Sequence, residues 1–445
     1  KGLYISSDST GEKESKAFFN NVNKVSKQYD YMICTPSVST GVSIDNGHFD
    51  FVGGIFNSQV NTANDCMQAL GRIRNHKTLH VFCEKRLGSK PLSPDVIRSK
   101  WSQTHTYDLS LMNLSEAGHK ILLNPDYEQL TLLVTQAKNR SFNDFYEQFC
   151  LLALHDGMSL GYSDEPINAE LKKHFTSFKT ACIEQGSFEQ EALELSAIEL
   201  KNLANKPRKT LAETAIYKKQ QIIEFYKLSD HDEENITALA QVDNEGRFRK
   251  SLLNLELALG DEQLAKQRFL EQLEDGAQFA ADLTHYAVLQ QLLKKLLQTL
   301  SLDTSLGILS TEDYQYDAES LLKSGFFEWI EKNRNVLQGL ISLPTPNQLK
   351  ANPLRFISNL LSRIGLKQKR VGRTEKGLYH LDIERIELMN ALIMRRRSNI
   401  MGTGIPLDAA SKLTKKQSCM HSLMEGLAKI KAFLAPTHLN LAIPI

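Results

Sequence analysis

Three side chains in the stretch QALGRIR have the types and spacing of half a phosphate-binding site: Gln68, Arg72 and Arg74. A guanidinium offers planar, bidentate donors to a phosphate and stabilises the charge that develops during phosphoryl transfer. On a helix over residues 62–73, Gln68 and Arg72 would share one face, because residues four apart lie above one another, whereas Arg74 would lie elsewhere. The stretch predicts binding of a nucleoside triphosphate; the alternative is a solvated helix end whose arginines favour the helix dipole.

Two loops that are rich in hydroxyl side chains precede this helix. The stretch CTPSVSTGVSID, residues 34–45, follows one apolar run, and ISSDST, residues 5–10, follows another. Loops at the carboxyl ends of parallel strands are where such sheets bind ligands, and hydroxyls donate hydrogen bonds to phosphate oxygens. The residues concerned are Ser6, Ser7, Thr35, Ser39, Thr40 and Ser43, with Gly41 permitting a close backbone approach. Plain polar turns are the alternative for both loops.

The elements that position these loops alternate along residues 1–90. Four apolar runs predict strands and two segments between them predict helices: strands at 2–6, 29–34, 49–56 and 78–85, helices at 12–28 and 62–73. Such alternation is typical of a parallel sheet that is covered by helices on both faces. The second helix would pack on the sheet through one apolar stripe, formed by Ala63, Cys66, Met67, Leu70 and Ile73.

The order of these features resembles the second RecA-like lobe of superfamily 2 helicases. TPSVSTGVSI is similar to motif V, QALGRIR is similar to motif VI, and YISSD lies near the position of motif IV. Among these helicases, the chain most resembles plasmid replication proteins of the cyanobacterial replication-protein-A type and herpesvirus origin-binding proteins. The resemblance covers residues 1–90 and implies an α/β RecA-like lobe with a parallel sheet.

The resemblance also implies roles for residues that were singled out above. The nucleotide-binding set would be Gly41, Ser43, Gln68, Arg72 and Arg74. The set that contacts the backbone of a single DNA strand would be Ser6, Ser7, Thr35, Ser39 and Thr40. Together these residues would couple DNA binding to ATP.

Within the nucleotide-binding set, Gln68, Arg72 and Arg74 would be catalytic, with the arginines as candidates for the finger that reaches the γ-phosphate. The common form of motif VI is QxxGRxxR, whereas here Arg74 follows Arg72 by two residues and Asn75 stands at the third position. Which arginine reaches the γ-phosphate is therefore open.

ATP and Mg²⁺ would be the cofactors of the full-length protein. Neither a GxxxxGK[ST] phosphate loop nor an acidic magnesium box is evident in the 445 residues. The resemblance therefore implies that the phosphate loop lies in an upstream RecA-like lobe, and we expect no ATP hydrolysis from this chain alone.

Composition sets the broad class of the protein. The chain has an ordinary apolar content of 41% and no apolar run of the roughly 20 residues that span a bilayer, so we expect no membrane partner. Its six cysteines are scattered without close pairs, which predicts reduced thiols in a cytoplasmic protein. The acidic stretch SDHDEEN, residues 229–235, is typical of a loop that caps the next helix, and we predict no metal site.

Beyond residue 90 the pattern becomes helical. Residues 284–300 place apolar side chains three and four apart, which favours packing inside a helix bundle over an intermolecular coiled coil; an oligomer remains an open alternative. We predict a helical accessory region at 91–340, a basic winged-helix-like module at 341–397 and a helical tail at 398–445.

The module at 341–397 reads as two helices followed by a basic hairpin that turns around Arg373 to Gly377. Between Lys350 and Arg397 there are 12 Lys/Arg and 4 Asp/Glu, a local excess of eight positive charges in a chain of net charge +1. Such clustering predicts duplex DNA binding, mostly through phosphates. The contact residues would be Arg355, Arg363, Lys367, Lys369, Arg370, Arg373 and Lys376. The alternative is a solvated basic subdomain or a wing that contacts protein.

Taken together, these features predict the C-terminal part of an ATP-dependent DNA helicase that acts in plasmid or phage replication initiation. Its partners would be the upstream RecA-like lobe, single-stranded DNA in the cleft and duplex DNA at the winged-helix-like module. The alternatives are a non-catalytic DNA-binding or replisome scaffold protein with a degenerate RecA-like lobe, and a helicase-like subunit of a nuclease or defence complex.

Overall fold

The computed structural model describes most of the chain in two compact units. The described residues are 1–6, 9–35, 41–58, 61–76, 78–85, 88–114, 125–162, 197–228, 233–243, 246–277, 283–302, 304, 307–310, 314–371 and 377–397. The first unit comprises Lys1–Ser6, Ala17–Leu160 and Glu245–Arg397, and the second contains Ser7–Lys16 and Gly161–Asn244. The predicted tail at 398–445 lies outside the described residues.

The first part of the chain alternates strands and helices, as the sequence predicts. Its elements are β1 Gly2–Ile5, α1 Lys13–Asn20, α2 Val22–Val25, a 3₁₀ turn at Ser26–Gln28, β2 Tyr31–Cys34, β3 Val52–Phe56, α3 Ala63–Leu70 and β4 Leu79–Cys83. The helix predicted at 12–28 is therefore divided. The Asn21 side chain accepts a hydrogen bond from the Lys24 amide, as an N-cap does, and so starts a new helix within the predicted one.

The strands are parallel, but they form two small sheets and not one. Strand β1 pairs with β2, and β3 pairs with β4. A single parallel bridge, Ile44 to Ile73, adds a third pairing outside the named strands. Ile73 packs against both apolar clusters of this region, the one under β1 and the one between β3 and α3.

Each parallel sheet is covered on one face only among the described residues. Leu3 and Ile5 of β1 are buried together with Phe18 of α1, and Val52 of β3 is buried against α3. The opposite faces carry large apolar side chains that are exposed: Tyr4, Tyr31, Ile33, Phe51, Ile55 and Phe82. The prediction of a sheet covered on both faces is therefore wrong for the described part of the chain, because no described helix supplies the second layer.

A helical region follows β4. Its elements are α4 Pro94–Leu111, α5 Pro125–Asn143, α6 Phe145–His155, α7 Ala197–Asn205, α8 Leu211–Tyr226, α9 Glu233–Asp243, α10 Arg247–Leu259, α11 Glu262–Glu274 and α12 Tyr286–Thr299. Within the described residues, none of the helices combines the length and apolar character needed to cross a membrane.

Helix α12 lies at the centre of the first unit's helical part. Leu289, Leu293 and Leu296 are buried against α4, α10 and α11, so the packing interpretation of the 284–300 pattern is confirmed. Asp108 of α4 accepts a hydrogen bond from the Val288 amide at 2.9 Å. This carboxylate satisfies an amide in the first turn of α12 that the helix itself leaves unpaired.

The second unit joins the loop after β1 to helices α7, α8 and α9. The Gly11 amide donates to the Lys209 carbonyl at 2.8 Å, and the Leu211 amide donates to Glu12 Oε1 at 2.6 Å. A side chain at Gly11 would collide with the Lys209 backbone, so the close approach of the two segments requires glycine at this position.

The last described region combines short helices with an antiparallel sheet. Its elements are β5 Gln315–Tyr316, α13 Ala318–Lys323, α14 Phe326–Lys332, α15 Arg334–Leu337, α16 Pro346–Ala351, α17 Pro353–Arg363, β6 Gln368–Arg370, β7 Tyr379–Leu381 and α18 Ile383–Arg397. The predicted helix–helix–hairpin order is present. The sheet order is β5–β7–β6, so the sheet also recruits a strand upstream of the predicted boundary at 341.

Candidate nucleotide and nucleic-acid sites

The backbone bridge between Ile44 and Ile73 brings two of the predicted motifs side by side. The Ile44 amide donates to the Arg72 carbonyl at 2.7 Å, and the Arg74 amide donates to the Ile44 carbonyl at 2.7 Å. Ser43 therefore lies beside the segment that carries both arginines. The sequence did not predict that these two segments pair, because a strand and a helix separate them along the chain.

Helix α3 ends earlier than the sequence predicts. Thr62 and Asp65 form a capping box at its start, which fixes the first turn. The helix ends at Leu70 with Gly71 as its C-cap, and the last turn tightens through a bond from the Arg72 amide to the Ala69 carbonyl.

The early helix end corrects the predicted relation among the three catalytic candidates. Arg72 lies beyond the helix, so Gln68 and Arg72 do not share a helical face. Arg72 lies in the turn that ends the helix and is half-buried, whereas Arg74 is exposed. Ile73, between them, packs against the apolar clusters.

Asn75 stabilises this arrangement, a role that the sequence interpretation missed. Its backbone is left-handed, with φ of 64°, and its Nδ2 donates to the Asp45 carbonyl at 3.0 Å. Asparagine tolerates this conformation better than most residues. The sequence feature that could have indicated this role is Asn75 itself, which stands where QxxGRxxR has its last arginine. In the structure it turns the chain and bonds the arginine segment to residue 45.

Two further contacts fix the segment that follows Ser43. The Asp45 amide donates to Asn23 Oδ1 at 3.0 Å, and Asn46 Nδ2 donates to the Asn23 carbonyl at 2.7 Å. Both sides of the Ile44–Ile73 bridge are thus attached to neighbouring structure. The arginine segment has a defined place before any ligand binds.

The residues around Ser43 are compatible with a phosphate ligand. Ser43 Oγ is buried and has no hydrogen-bond partner among the described residues, and an unsatisfied buried hydroxyl is costly unless a ligand or water pairs with it. Gly41 has φ of 94° and open space where a Cβ would stand. Glycine is therefore required there by the backbone conformation, and not by a close contact within the described chain.

Two of the predicted DNA-contacting hydroxyls lie at one edge of the first sheet. Ile5 pairs with Cys34, and the Thr35 amide donates to the Ile5 carbonyl at 3.0 Å. Ser6 and Thr35 therefore follow neighbouring strands at their carboxyl ends, where parallel sheets bind ligands. Ser7, Ser39 and Thr40 lie outside the described residues.

Cys66 on α3 and Cys83 on β4 behave as apolar side chains. Burial raises the pKa of the Cys66 thiol to about 12 and that of Cys83 to about 11. Both remain protonated at neutral pH and lack the thiolate that a nucleophile needs. Among the described residues no cluster of three or more His, Cys, Asp or Glu is arranged to hold a metal.

The basic module places most of its predicted contact residues on the surface. Arg355, Arg363, Lys367 and Arg370 are exposed and form no ion pair with any described residue. Lys369 differs, because its Nζ lies 2.8 Å from Oδ1 of Asp382. Arg373 and Lys376, at the tip of the hairpin, lie outside the described residues.

Three arginines elsewhere in the first unit pair with carboxylates. Arg334 pairs with Glu331, and Arg268 and Arg396 both pair with Glu256. These three ion pairs hold helices together, whereas Arg355 and Arg363 of α17 form none with a described residue.

Comparison with known proteins finds viral relatives whose name refers to a helicase/primase complex. The chain is 28% identical over 242 residues to the "Putative helicase/primase complex protein" of African swine fever virus, isolate Tick/Malawi/Lil 20-1/1983, which covers 51% of this chain and 22% of the viral protein. The protein of the same name from isolate Pig/Kenya/KEN-50/1950 is 31% identical over 160 residues, 33% of this chain and 15% of that protein.

A cyanobacterial protein is also similar. An uncharacterized protein of Picosynechococcus sp. is 38% identical over 86 residues, 19% of this chain and 8% of that protein. The chain thus spans about a fifth or less of the length of the curated relatives it matches. No family model matches, and no solved structure does.

Proposed function

We propose that this chain is the C-terminal part of an ATP-dependent DNA helicase that acts in replication initiation, of the plasmid or phage kind. The observation that carries the proposal is the Ile44–Ile73 bridge, which aligns the segment of Ser43 with the segment of Arg72 and Arg74. The names of the viral relatives give independent support, since both refer to a helicase/primase complex.

The proposed role of this chain is to supply half of the ATP site. Arg72 and Arg74 flank Ile73 in the bridge segment, and their guanidinium groups would bind a γ-phosphate and stabilise its developing charge. Ser43 Oγ offers a donor beside them. ATP with Mg²⁺ supplies the free energy of phosphoryl transfer when it is bound, and the phosphate loop would come from an upstream RecA-like lobe.

DNA would be held at two places. Thr35, half-buried at the carboxyl edge of β2, would donate a hydrogen bond to the backbone of a single strand. Ser6, at the edge of β1, is buried and less suited to this role. The exposed cations of α17 and β6 would bind duplex phosphates. The helices, the hairpin and the sheet order β5–β7–β6 are in keeping with a winged-helix-like module.

The test is the DNA-stimulated ATPase of the full-length polypeptide, with Arg72→Ala and Arg74→Ala made separately. Replacing the arginine that reaches the γ-phosphate by alanine should lower kcat by about 10³-fold or more. Replacing it by lysine should not restore the rate, because lysine lacks the planar fork of a guanidinium. Arg98→Ala is the matched control, since Arg98 is a half-exposed arginine on α4 paired with Glu128. Wild-type rates in both alanine variants would contradict the proposal.

A second function is favoured by a specific observation. The unpaired basic surface around α17 binds DNA in either case, so a non-catalytic DNA-binding or scaffold protein with a degenerate lobe needs only that surface. Full-length protein that binds duplex DNA without any DNA-stimulated ATPase would select this alternative.

A further inference from the structure

Helix α5, Pro125–Asn143, has an apolar side that is exposed to solvent. The side chains of Tyr127, Leu130, Leu133 and Val134 are 38%, 59%, 49% and 44% exposed. They are three and four residues apart, so they share one side of the helix. Single exposed apolar residues are normal on a protein surface, whereas four neighbours on one helix indicate a contact surface.

The opposite side of α5 is fixed to the rest of the first unit. Leu132 is fully buried, and the Asn139 side chain donates from Nδ2 to the Pro91 carbonyl at 2.8 Å. Near the start of the helix, Glu128 pairs with Arg98 of α4 at 2.7 Å. Because these contacts hold the helix at both ends, the apolar side cannot turn inward.

The two ends of the exposed side carry opposite charges. Asp126 lies in the first turn and Arg140 in the last turn, and both are exposed. A second helix with the same pattern fits this side only when it runs antiparallel, because a parallel copy would place like charges together at each end. Antiparallel packing also aligns the two helix dipoles favourably.

The apolar positions match one another in the same antiparallel orientation. Leu130 and Val134 lie two residues to either side of position 132, and Tyr127 and Ala137 lie five residues to either side. An antiparallel copy in this register places Leu130 opposite Val134. It also places the large Tyr127 opposite the small, exposed Ala137, which is the match of volumes that closely packed helices need.

We propose that this side of α5 binds the same side of a second copy of this chain, in an antiparallel dimer with twofold symmetry. In such a dimer residue i contacts residue j and j contacts i, so Asp126 of each copy pairs with Arg140 of the other. A second copy is the occupant because the pattern acidic, apolar, basic is complementary to itself when it is reversed. The dimer requires neither ATP nor DNA and does not depend on the proposed function.

The experiment is analytical ultracentrifugation of the whole 445-residue chain, without DNA or nucleotide. One pair of helices is a small interface, so wild type should pass from monomer to dimer between about 1 and 500 µM. Leu130→Glu should weaken the dimer by about a hundredfold, because the substitution places a charge in the interface twice. Leu270→Glu is the matched control, since Leu270 is an exposed leucine on a different helix, α11, and should leave dimerisation unchanged.

An exchange of charges tests the antiparallel register. Asp126→Arg and Arg140→Asp should each weaken self-association by about tenfold, because each variant creates two like-charged pairs. An equimolar mixture of the two variants should form a heterodimer with about the wild-type affinity, since each end then joins a cation and an anion. A folding defect in either variant would not be corrected by mixing.

Three outcomes would overturn the inference. Wild type could remain monomeric at the highest concentration, Leu130→Glu could dimerise as well as wild type, or the mixed charge variants could fail to associate. Each result would mean that the apolar side of α5 binds a different partner or none, and each would leave the proposed function standing. Loss of the predicted ATPase would likewise leave the dimer unaffected.

Discussion

The region at 1–85 combines two small sheets with a few helices and the region at 315–397 combines one small sheet with several helices, but the two regions bury their apolar residues differently. In the first, parallel strands expose Tyr4, Ile33 and Ile55 on the face away from the helices. In the second, Tyr316 of β5 and Leu381 of β7 are buried. Parallel sheets are normally covered on both faces, so the first region has a face suited to a further layer, whereas the second buries its apolar residues among its own elements and against α10 and α12.

The two regions also position the side chains of their proposed sites by different means. Arg72 and Arg74 owe their place to backbone hydrogen bonds with Ile44, a pairing distant in sequence. Arg355 and Arg363 owe theirs to the period of a single helix. A site that depends on a distant pairing is sensitive to changes in backbone geometry, whereas a helical stripe tolerates any substitution that keeps the helix.

The largest expected difference is in the cost of removing apolar side chains. Leu361→Ala, at a fully buried position in α17, should lower the local free energy of unfolding by about 3 kcal/mol, because it leaves a cavity. Ile55→Ala, at a position that is 83% exposed, should change it by less than about 0.5 kcal/mol. Hydrogen exchange of the amides in each region measures both. An equal loss of unfolding free energy for Ile55→Ala would mean that the exposed face of the sheet that carries Ile55 is covered in solution.

A smaller effect should follow from Asn75→Ala in the first region. Alanine disfavours the left-handed conformation and removes the hydrogen bond to the Asp45 carbonyl, so the bridge segment should lose about 1–2 kcal/mol of local stability. Asn75→Gly is the matched control, since it keeps the conformation and removes only the side-chain bond. Hydrogen exchange at the amides of Ile44 and Arg74 reports the result. Equal protection in all three proteins would contradict the role given to Asn75.

The hairpin of the second region permits a comparison of two adjacent cations. Arg370→Gln should reduce the salt dependence of duplex binding by about one unit of slope. Lys369→Gln should reduce it less, because Lys369 already pairs with Asp382. Fluorescence anisotropy with a fixed duplex over a range of salt concentrations measures both slopes. Identical slopes for the two variants would show that the Asp382 pair does not persist on DNA.

The smallest effect concerns the helix that follows β5. Asp317 Oδ1 accepts a hydrogen bond from the Ser320 amide at 2.8 Å, and this bond holds the pKa of the Asp317 carboxyl below its usual value of 3.8. Asp317→Ala should cost about 1 kcal/mol at neutral pH through loss of the N-cap. Chemical denaturation followed by circular dichroism would measure the difference.

The pH dependence of that difference has a definite sign. The folded pKa of Asp317 lies below the unfolded one, so the carboxylate contributes its stability at neutral pH and loses it as pH falls through the folded value. The gap between wild type and Asp317→Ala should therefore narrow below about pH 4. A gap that is constant down to pH 2 would exclude the carboxylate as its cause.

Much of the local structure was predictable from the sequence. The apolar runs gave β1 to β4, and the stripe of Ala63, Cys66 and Leu70 is buried as expected. The basic hairpin was found by its residue types. The predicted end of α3 was three residues too late. Ile73 continues the helical period, but in the structure it pairs with Ile44 in a β-bridge, and such tertiary pairing overrides local periodicity.

The sequence by itself determined which side chains are available: hydroxyls after two strands, two guanidinium groups after a helix, and a run of cations without carboxylates. These follow from residue type and from periods of two and 3.6 residues, which act over a few neighbours. Only the tertiary structure decided that Ser43 lies beside the arginine segment, that Asn75 ties this segment to residue 45, and that β5 joins the hairpin more than fifty residues downstream. The physical reason is that backbone pairing between distant segments depends on which surfaces the packed core brings together, and no local pattern contains that information.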